Sequence, residues 1–228
     1  MSSPDYSIKL TVDAVVFGYR EGQLFLALIN RKYEPFRGQW ALPGGFVLPD
    51  EDLEGAVQRE LREETGIQTR FLEQLYTFGA VERDPRQRIV SVAYMGLLRP
   101  SDFQIVASTD AQDVAWFRVD ALPPLAFDHS EIIQMGLQRL RNKLTYEPIG
   151  LNLLDEKFPF SDLERLYATI LNRAFDRRNF RKKFLGFGIL TELPEKISPD
   201  KGRPASLYTF DRERYETMQK EGFLFDIR

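Results

Sequence analysis

Hydrophobic positions along this chain follow two periods, and the switch between them marks its elements. Leu10–Tyr19 and Gln23–Asn30 are apolar, β-rich runs joined at Glu21-Gly22, which predicts two strands closed as a hairpin. Leu53, Val57 and Leu61 then recur every four residues, a single apolar stripe that predicts a helix near 53–65. Strand patterns return at Phe71–Gly79, Ile89–Leu98 and Val114–Arg118. Ser130–Lys143, with Ile132, Ile133, Met135, Leu137 and Leu140 among polar residues, reads as a second amphipathic helix. Two strands, a helix, further strands and a closing helix predict an α/β (α+β) sandwich, here assigned to residues 1–145.

The pattern breaks at Tyr146-Glu147-Pro148-Ile149-Gly150, and the rest of the chain, residues 146–228, is long enough for a small domain. A short strand is expected near Leu151–Leu154. Ser161 and Glu164 have capping-box spacing and open a helix with Leu163, Leu166, Tyr167, Ile170 and Leu171 on its apolar side. Asp176 is an N-cap candidate for a second helix running through Leu185, on which Phe180 and Phe184 share one face. Strands at Ile189–Thr191 and Ala205–Phe210 flank a polar loop from Pro194 to Pro204. Helix, short strand, helix, helix, strand, loop, strand is the order of a mostly α winged helix-turn-helix.

Charge changes the meaning of both halves. From Arg173 to Arg203 nine Lys and Arg stand against four Asp and Glu, a local excess of five positive charges in a chain of net charge −3. A basic helix followed by a basic loop is the electrostatic footprint of double-stranded DNA binding, although such a run also serves as a plain solvated face. Arg177, Arg178, Asn179 and Arg181 carry side chains suited to G or A edges, while Lys182, Lys183, Lys201 and Arg203 suit phosphates.

The first half shows the opposite excess. Asp50, Glu51, Glu60, Glu63 and Glu64 crowd one loop and one helix, with Asp50-Glu51-Asp52 offering N-caps and Gly66 a C-cap. At 100° per residue Glu64 falls within the apolar stripe, Glu60 at its edge and Glu63 just beyond. A carboxylate on a packing face needs a cation, supplied either by Arg59 and Arg62 or by a metal ion.

Composition excludes other classes. Hydrophobic content of 43% suits a core-forming protein, and the longest apolar run, Leu24–Ile29, is far shorter than a membrane span. The start lacks a signal-peptide pattern, and the absence of cysteine excludes disulfides and thiolate metal sites. A cytoplasmic protein without membrane contact is the expectation.

The spacing Gly45, five residues, Glu51, seven residues, Arg59-Glu60-Leu61-Arg62-Glu63-Glu64-Thr65-Gly66-Ile67 resembles the Nudix box at every defined position, with Trp40-Ala41-Leu42-Pro43-Gly44 leading into it. The resemblance implies a site for Mg²⁺ or Mn²⁺ held mainly by Glu60 and Glu64, with Glu63 contributing and the Gly44 carbonyl completing it. Glu63, Glu60 and Arg59 would be the catalytic group, Arg59 orienting the glutamates and Glu51 bracing the loop. The box followed by Asp176–Lys182 and Gly202–Tyr208, together with Phe78-Gly79, Arg83-Asp84-Pro85 and Leu125–His129, resembles the Nudix-related transcriptional regulators of the NrtR type over nearly the whole chain.

That second resemblance implies a homodimer gripping a two-fold symmetric operator, with a Nudix domain that senses ADP-ribose, a related nucleotide or a sugar. Arg83, Asp84 and Arg88 are the candidate effector contacts. An active Mg²⁺-dependent ADP-ribose pyrophosphatase is the alternative, because the box is whole; the further acid such enzymes take from a later loop has only Asp110 or Asp113 as candidates. His129, the single histidine, is expected to be structural, and Trp40 and Trp116 to belong to the core.

Overall fold

The apolar run opening the chain has no polar alternation because both faces of its strand are covered. In the computed structural model, which describes residues 7–102, 111–198 and 204–227, β1 (Lys9–Arg20) is buried almost continuously from Val12 to Tyr19. A turn with Glu21 and Gly22 at positive φ returns the chain into β2 (Gln23–Arg31). Two short strands come next, β3 (Trp40–Ala41) and β4 (Gly44–Phe46), then helix α1 (Leu53–Thr65). β5 (Phe71–Phe78), β6 (Ile89–Leu98) and β7 (Ala111–Arg118) complete a mixed sheet of order β3-β2-β1-β6-β5, with β4 on β1 and β7 on β2. β1 and β6 run parallel from Lys9↔Ile89 to Gly18↔Leu98, while β4 lies antiparallel to β1 with Asp13 opposite Gly44.

Alternate residues of β1 meet different helices. Val12, Ala14 and Val16 join Ala56, Val57 and Leu61 of α1 in one cluster with Val92, Tyr94 and Leu98 of β6. Each fully buried Val or Leu there contributes about 1.5–3 kcal/mol. Val15 faces the opposite way, towards α2 (His129–Tyr146), whose Gly136 comes so close that an added Cβ would lie 3.0 Å from a Val15 methyl.

The chain divides into two units. The first comprises Met1–Gly18, Phe25–Leu98 and Asp102–Leu137; the second comprises Tyr19–Leu24, Arg99–Ser101 and Gln138–Arg228. In the second, α3 (Phe160–Leu171) and α4 (Arg177–Gly186) precede a sheet of order β8-β10-β9, formed by Phe158–Pro159, Ala205–Phe210 and Leu190–Ile197. Phe184 is fully buried, with the rings of Phe160, Tyr167, Phe180, Phe187 and Phe225 all within 6.3 Å of its own, centre to centre. This is a winged helix, and the fold is therefore the α/β sandwich plus winged helix that the sequence predicts.

Several local expectations are corrected. Residues 149–153 form a 3₁₀ turn, and the short strand lies at Phe158–Pro159, where Phe158 pairs with Tyr208. That pairing carries the chain directly into α3, so Ser161 does not cap it: the cap position is Pro159 and makes no side-chain hydrogen bond. The strand before the wing runs on to Ile197, absorbing Pro194 and Lys196, and a terminal helix α5 (Arg212–Lys220) succeeds β10. Lys201 and Arg203 lie outside the described residues, as does Asp110. Among the described residues, no helix is long and apolar enough to cross a membrane.

Candidate functional site

The loop Leu42–Asp52 and helix α1 are tied together by one guanidinium. Asp52 caps α1, accepting from Gly55 N at 2.7 Å, and Gly66 closes it in the left-handed conformation at φ 72°. Between them Arg59 donates to both Glu51 oxygens at 2.9 and 2.6 Å, to Glu60 at 2.7 Å, to Glu63 at 3.2 Å and to the Phe46 carbonyl at 3.1 Å. Its effect on Glu51 is large: the Arg59 hydrogen bonds, helped by Leu48 N–H, push that carboxyl down to about 2. Glu51 therefore braces the loop and Arg59 orients two of the glutamates.

Glu64 is left out of this cluster. Its Oε2 accepts from Gly44 N at 2.8 Å, and burial, aided by the charges of Glu60 and Asp13, raises its carboxyl to about 8. Burial also raises Glu60 against the opposing pull of Arg59. Gly45 leaves room for this arrangement, since a Cβ there would overlap the Glu60 carboxylate.

Glu60 and Glu64 line a cleft of about 370 Å³, within the range of small-molecule sites. Arg59, Gly44, Arg83 and Asp84 line it too. Glu63 and Arg88 are not among its walls. Glu63 is half exposed and turned to Arg59, its neighbour one helical turn away, whereas Arg88 donates to the carbonyls of Ala80 and Ile89. Asp113 is exposed, accepts from Val114 N and does not line the cleft either. Among the described residues, no three acids converge into a ready-made metal cage. Two oxygen ligands with raised pKa values nevertheless fit a hard divalent cation, which commonly takes one or two carboxylates and fills its shell with water and phosphate.

Sequence reasoning missed the floor of the cleft. Asp13, a buried acid inside the apolar run of β1, lies opposite Gly44 and accepts from Ser91 Oγ and, at 3.4 Å, from Arg83. Arg83 is itself buried and forks onto Asp128 at 2.9 and 2.7 Å, so its guanidinium is already engaged within the protein. Beside it His129 accepts from Leu42 N through Nδ1 at 2.8 Å. Burial lowers its pKa, and the neutral ring then carries its proton on Nε2, 3.5 Å from Asp13. His129 is thus a structural strut. Arg31, Arg86 and Phe127 also line the cleft; Phe127 lies within the Leu125–His129 element, and no sequence motif marks Arg31 or Arg86.

In the second unit, α4 presents Arg177, Arg178, Asn179, Lys182 and Lys183 to solvent while Phe180 and Phe184 point inward. Asp176 caps this helix through Asn179 N at 2.8 Å. Arg181 is placed differently: its guanidinium stacks 4.7 Å over the Phe160 ring and donates to Tyr208 Oη at 2.7 Å. Part of its role is therefore to fix α4 to the sheet.

Comparison with known proteins covers both units. Residues 8–135 match the NUDIX domain family, and residues 150–210 match the NrtR DNA-binding winged helix domain. The chain is 35% identical over 217 residues to the ADPR responsive transcriptional repressor NtrR of Acinetobacter baylyi, covering 93% of this chain and 86% of that protein. It is similar to the crystal structure of Shewanella oneidensis NrtR complexed with a 27mer DNA, at 35% identity and TM-score 0.80, over 88% of this chain and 93% of the other. The Nudix domain of the same Shewanella oneidensis protein, crystallised with ADP ribose, aligns at 38% identity and TM-score 0.56 over 61% of this chain and 94% of that one.

Proposed function

Because this chain belongs to the Nudix-related transcriptional regulators of the NrtR type, we propose that it reads ADP-ribose or a closely related nucleotide in its first fold and an operator with its second. The observation that carries this reading is the pairing, in one chain, of a Nudix cleft with an exposed basic helix in a winged-helix frame. Residues 1–145 are assigned to sensing and 146–228 to DNA. On α4, Arg177, Arg178 and Asn179 are the candidates for base edges, since N-terminal residues of a recognition helix enter the major groove. Lys182, Lys183, Lys201 and Arg203 are assigned to phosphates, and Arg181 to a backbone-facing position limited by its anchor on Tyr208. A homodimer is proposed, its two helices matching half-sites one turn of DNA apart. A cytoplasmic setting follows from the DNA-binding role.

Within the cleft Glu60, Glu64 and the Gly44 carbonyl would hold Mg²⁺ or Mn²⁺, which when bound polarises phosphoryl oxygens and sharpens water as a nucleophile. The chain's own part is to hold Glu64 on Gly44 N–H and to fix Glu60 against Arg59. Hydrolysis is the second reading, favoured by one specific observation: every defined position of the box is present.

The deciding experiment is fluorescence anisotropy of full-length protein on a labelled palindromic operator, titrated with ADP-ribose and, separately, with a free sugar. ADP-ribose is expected to change operator affinity and the sugar to leave it unaltered. Operator binding indifferent to ADP-ribose but responsive to the sugar refutes the nucleotide assignment. AMP released in the same tubes with Mg²⁺ present would establish the hydrolase reading alongside.

A further inference from the structure

Strand β9 carries two glutamates, Glu192 and Glu195, in a unit that binds a polyanion. Both are exposed, so neither belongs to the core. Lys157 engages Glu195, its Nζ donating to the two carboxylate oxygens at 2.7 and 2.9 Å. Glu192 lies directly opposite Tyr208 of β10 and accepts from that phenol and from the Ser206 hydroxyl. Ser206 and Tyr208 are two residues apart on one strand, and the register to β9 shifts between them. The Ser206 hydroxyl, helped by Tyr208, holds the Glu192 carboxyl below the usual carboxylate range.

Tyr208 joins this wing strand to the recognition helix. Its Oη accepts from Arg181 of α4 at 2.7 Å while donating to Glu192. The Arg181 guanidinium also lies 4.7 Å from the ring centre of Phe160 and 5.5 Å from that of Tyr208, and the two rings meet edge-on at 5.8 Å. Tyr208 is itself buried, with Phe158 of β8 opposite it on the other side of β10. A phenol has one proton to give and lone pairs to receive, so a fixed Tyr208 places a donor and an acceptor at once. Arg181, Tyr208, Glu192 and Ser206 thus form a relay from α4 to both strands that bound the wing. Its ends are charged, which makes each of those hydrogen bonds stronger than a neutral one.

We propose that Glu192 and Tyr208 are positioning residues that hold the wing at a fixed angle to α4, so that helix and wing engage one operator together. The inference rests on the reading of α4 and the wing as the operator-binding surfaces. Those surfaces are assigned to different parts of the duplex, Arg177, Arg178 and Asn179 to base edges and Lys201 and Arg203 to phosphates. A specific complex needs both in register, whereas loose electrostatic association needs only the charges. Glu192 and Tyr208 act through those residues and touch no DNA themselves.

Fluorescence anisotropy of the full-length protein on a labelled palindromic operator and on a scrambled duplex of equal length tests the relay. Ordinary charge repulsion predicts that Glu192→Ala tightens binding to both. The relay predicts the opposite sign for the operator: binding about tenfold weaker, the worth of one charge-assisted hydrogen bond, with the scrambled duplex bound at least as tightly as by native protein. Glu192→Gln keeps an acceptor for the two hydroxyls and should recover most of the loss. Tyr208→Phe removes no charge, so it should weaken the operator by a similar factor while the salt slope stays native. Should Tyr208→Phe fail to fold, as circular dichroism would reveal, the two Glu192 variants, at an exposed site, carry the test. If Glu192→Ala binds the operator as tightly as native protein or more so, the positioning role is wrong and the DNA-binding reading survives. A loss shared equally by both duplexes also overturns it, because a misplaced wing spares binding that needs no register. If native protein binds neither duplex, both fall.

Discussion

Replacing Glu64 with glutamine separates the charge of this side chain from its shape. The amide oxygen still accepts from Gly44 N, now 2.8 Å from the carboxylate, so the loop keeps its hydrogen bond while the buried negative charge disappears. In the native chain the carboxyl titrates near 8 when folded and near 4.5 when unfolded. Folding therefore takes up a proton between those values, and stability is fullest below the lower one and drains away as pH rises to the upper. At about 1.4 kcal/mol per pH unit the whole interval is worth at most about 5 kcal/mol. Water entering the open cleft and adjustment of Glu60 relieve part of the repulsion, so a difference of about 2 kcal/mol is expected. Both tryptophans of the chain, Trp40 and Trp116, lie in the unit that contains Glu64, so urea unfolding followed by tryptophan fluorescence reports on that unit. Between about pH 5.5 and about pH 8.5, metal-free native protein should lose stability relative to Glu64→Gln by that amount, and millimolar Mg²⁺ should restore the native protein only. Parallel pH curves for the two proteins refute the reasoning, because they would mean that Glu64 carries no charge strain.

Three further outcomes are expected. Lys182→Ala and Lys183→Ala should each weaken operator binding and reduce the slope of log affinity against log salt by about 1, with ADP-ribose affinity as in the native protein; a slope that does not move takes that residue off the phosphate backbone. Phe184→Ala, which empties the centre of the second unit's aromatic cluster, should cost about 3–5 kcal/mol and abolish operator binding; circular-dichroism melting and a gel shift check this, and a variant that melts like the native protein contradicts the assignment of Phe184 as keystone. Gly45→Ala should displace Glu60 and lower affinity for Mn²⁺, read by electron paramagnetic resonance, about tenfold or more, whereas native-like affinity would mean that Glu60 is not a ligand.

What the sequence reveals and what it hides differ for physical reasons. Helix α1 and its acids are legible because helical periodicity places them on known faces, and the cap residues Asp52 and Gly66 mark both ends. The same periodicity explains Glu63: one turn from Arg59 and outside the apolar stripe, it turns to the guanidinium rather than to the cleft. Asp13, Arg31 and Arg86 come from two strands and a loop that only the sheet brings together, so none has local context. Asp13 does leave a trace, as one acid within a buried apolar run. Nothing in the sequence marks the backbone conformation of Phe36 or Phe127, because positive φ is foreign to phenylalanine and the tertiary packing imposes it. In the second unit Leu151–Leu154 is too short for periodicity to separate a 3₁₀ turn from a strand.

A sensor differs from an ordinary metalloenzyme in one respect: it must be a well-ordered molecule while it waits. Arg59 meets that demand. Four of its five contacts give Glu51, Glu60 and Glu63 a shared internal counter-ion, so one unit of their charge is offset before any metal arrives. The vacant state is thereby a folded state with its own lifetime. Glu64, beyond the reach of that guanidinium, is left as the handle that an arriving cation can grasp.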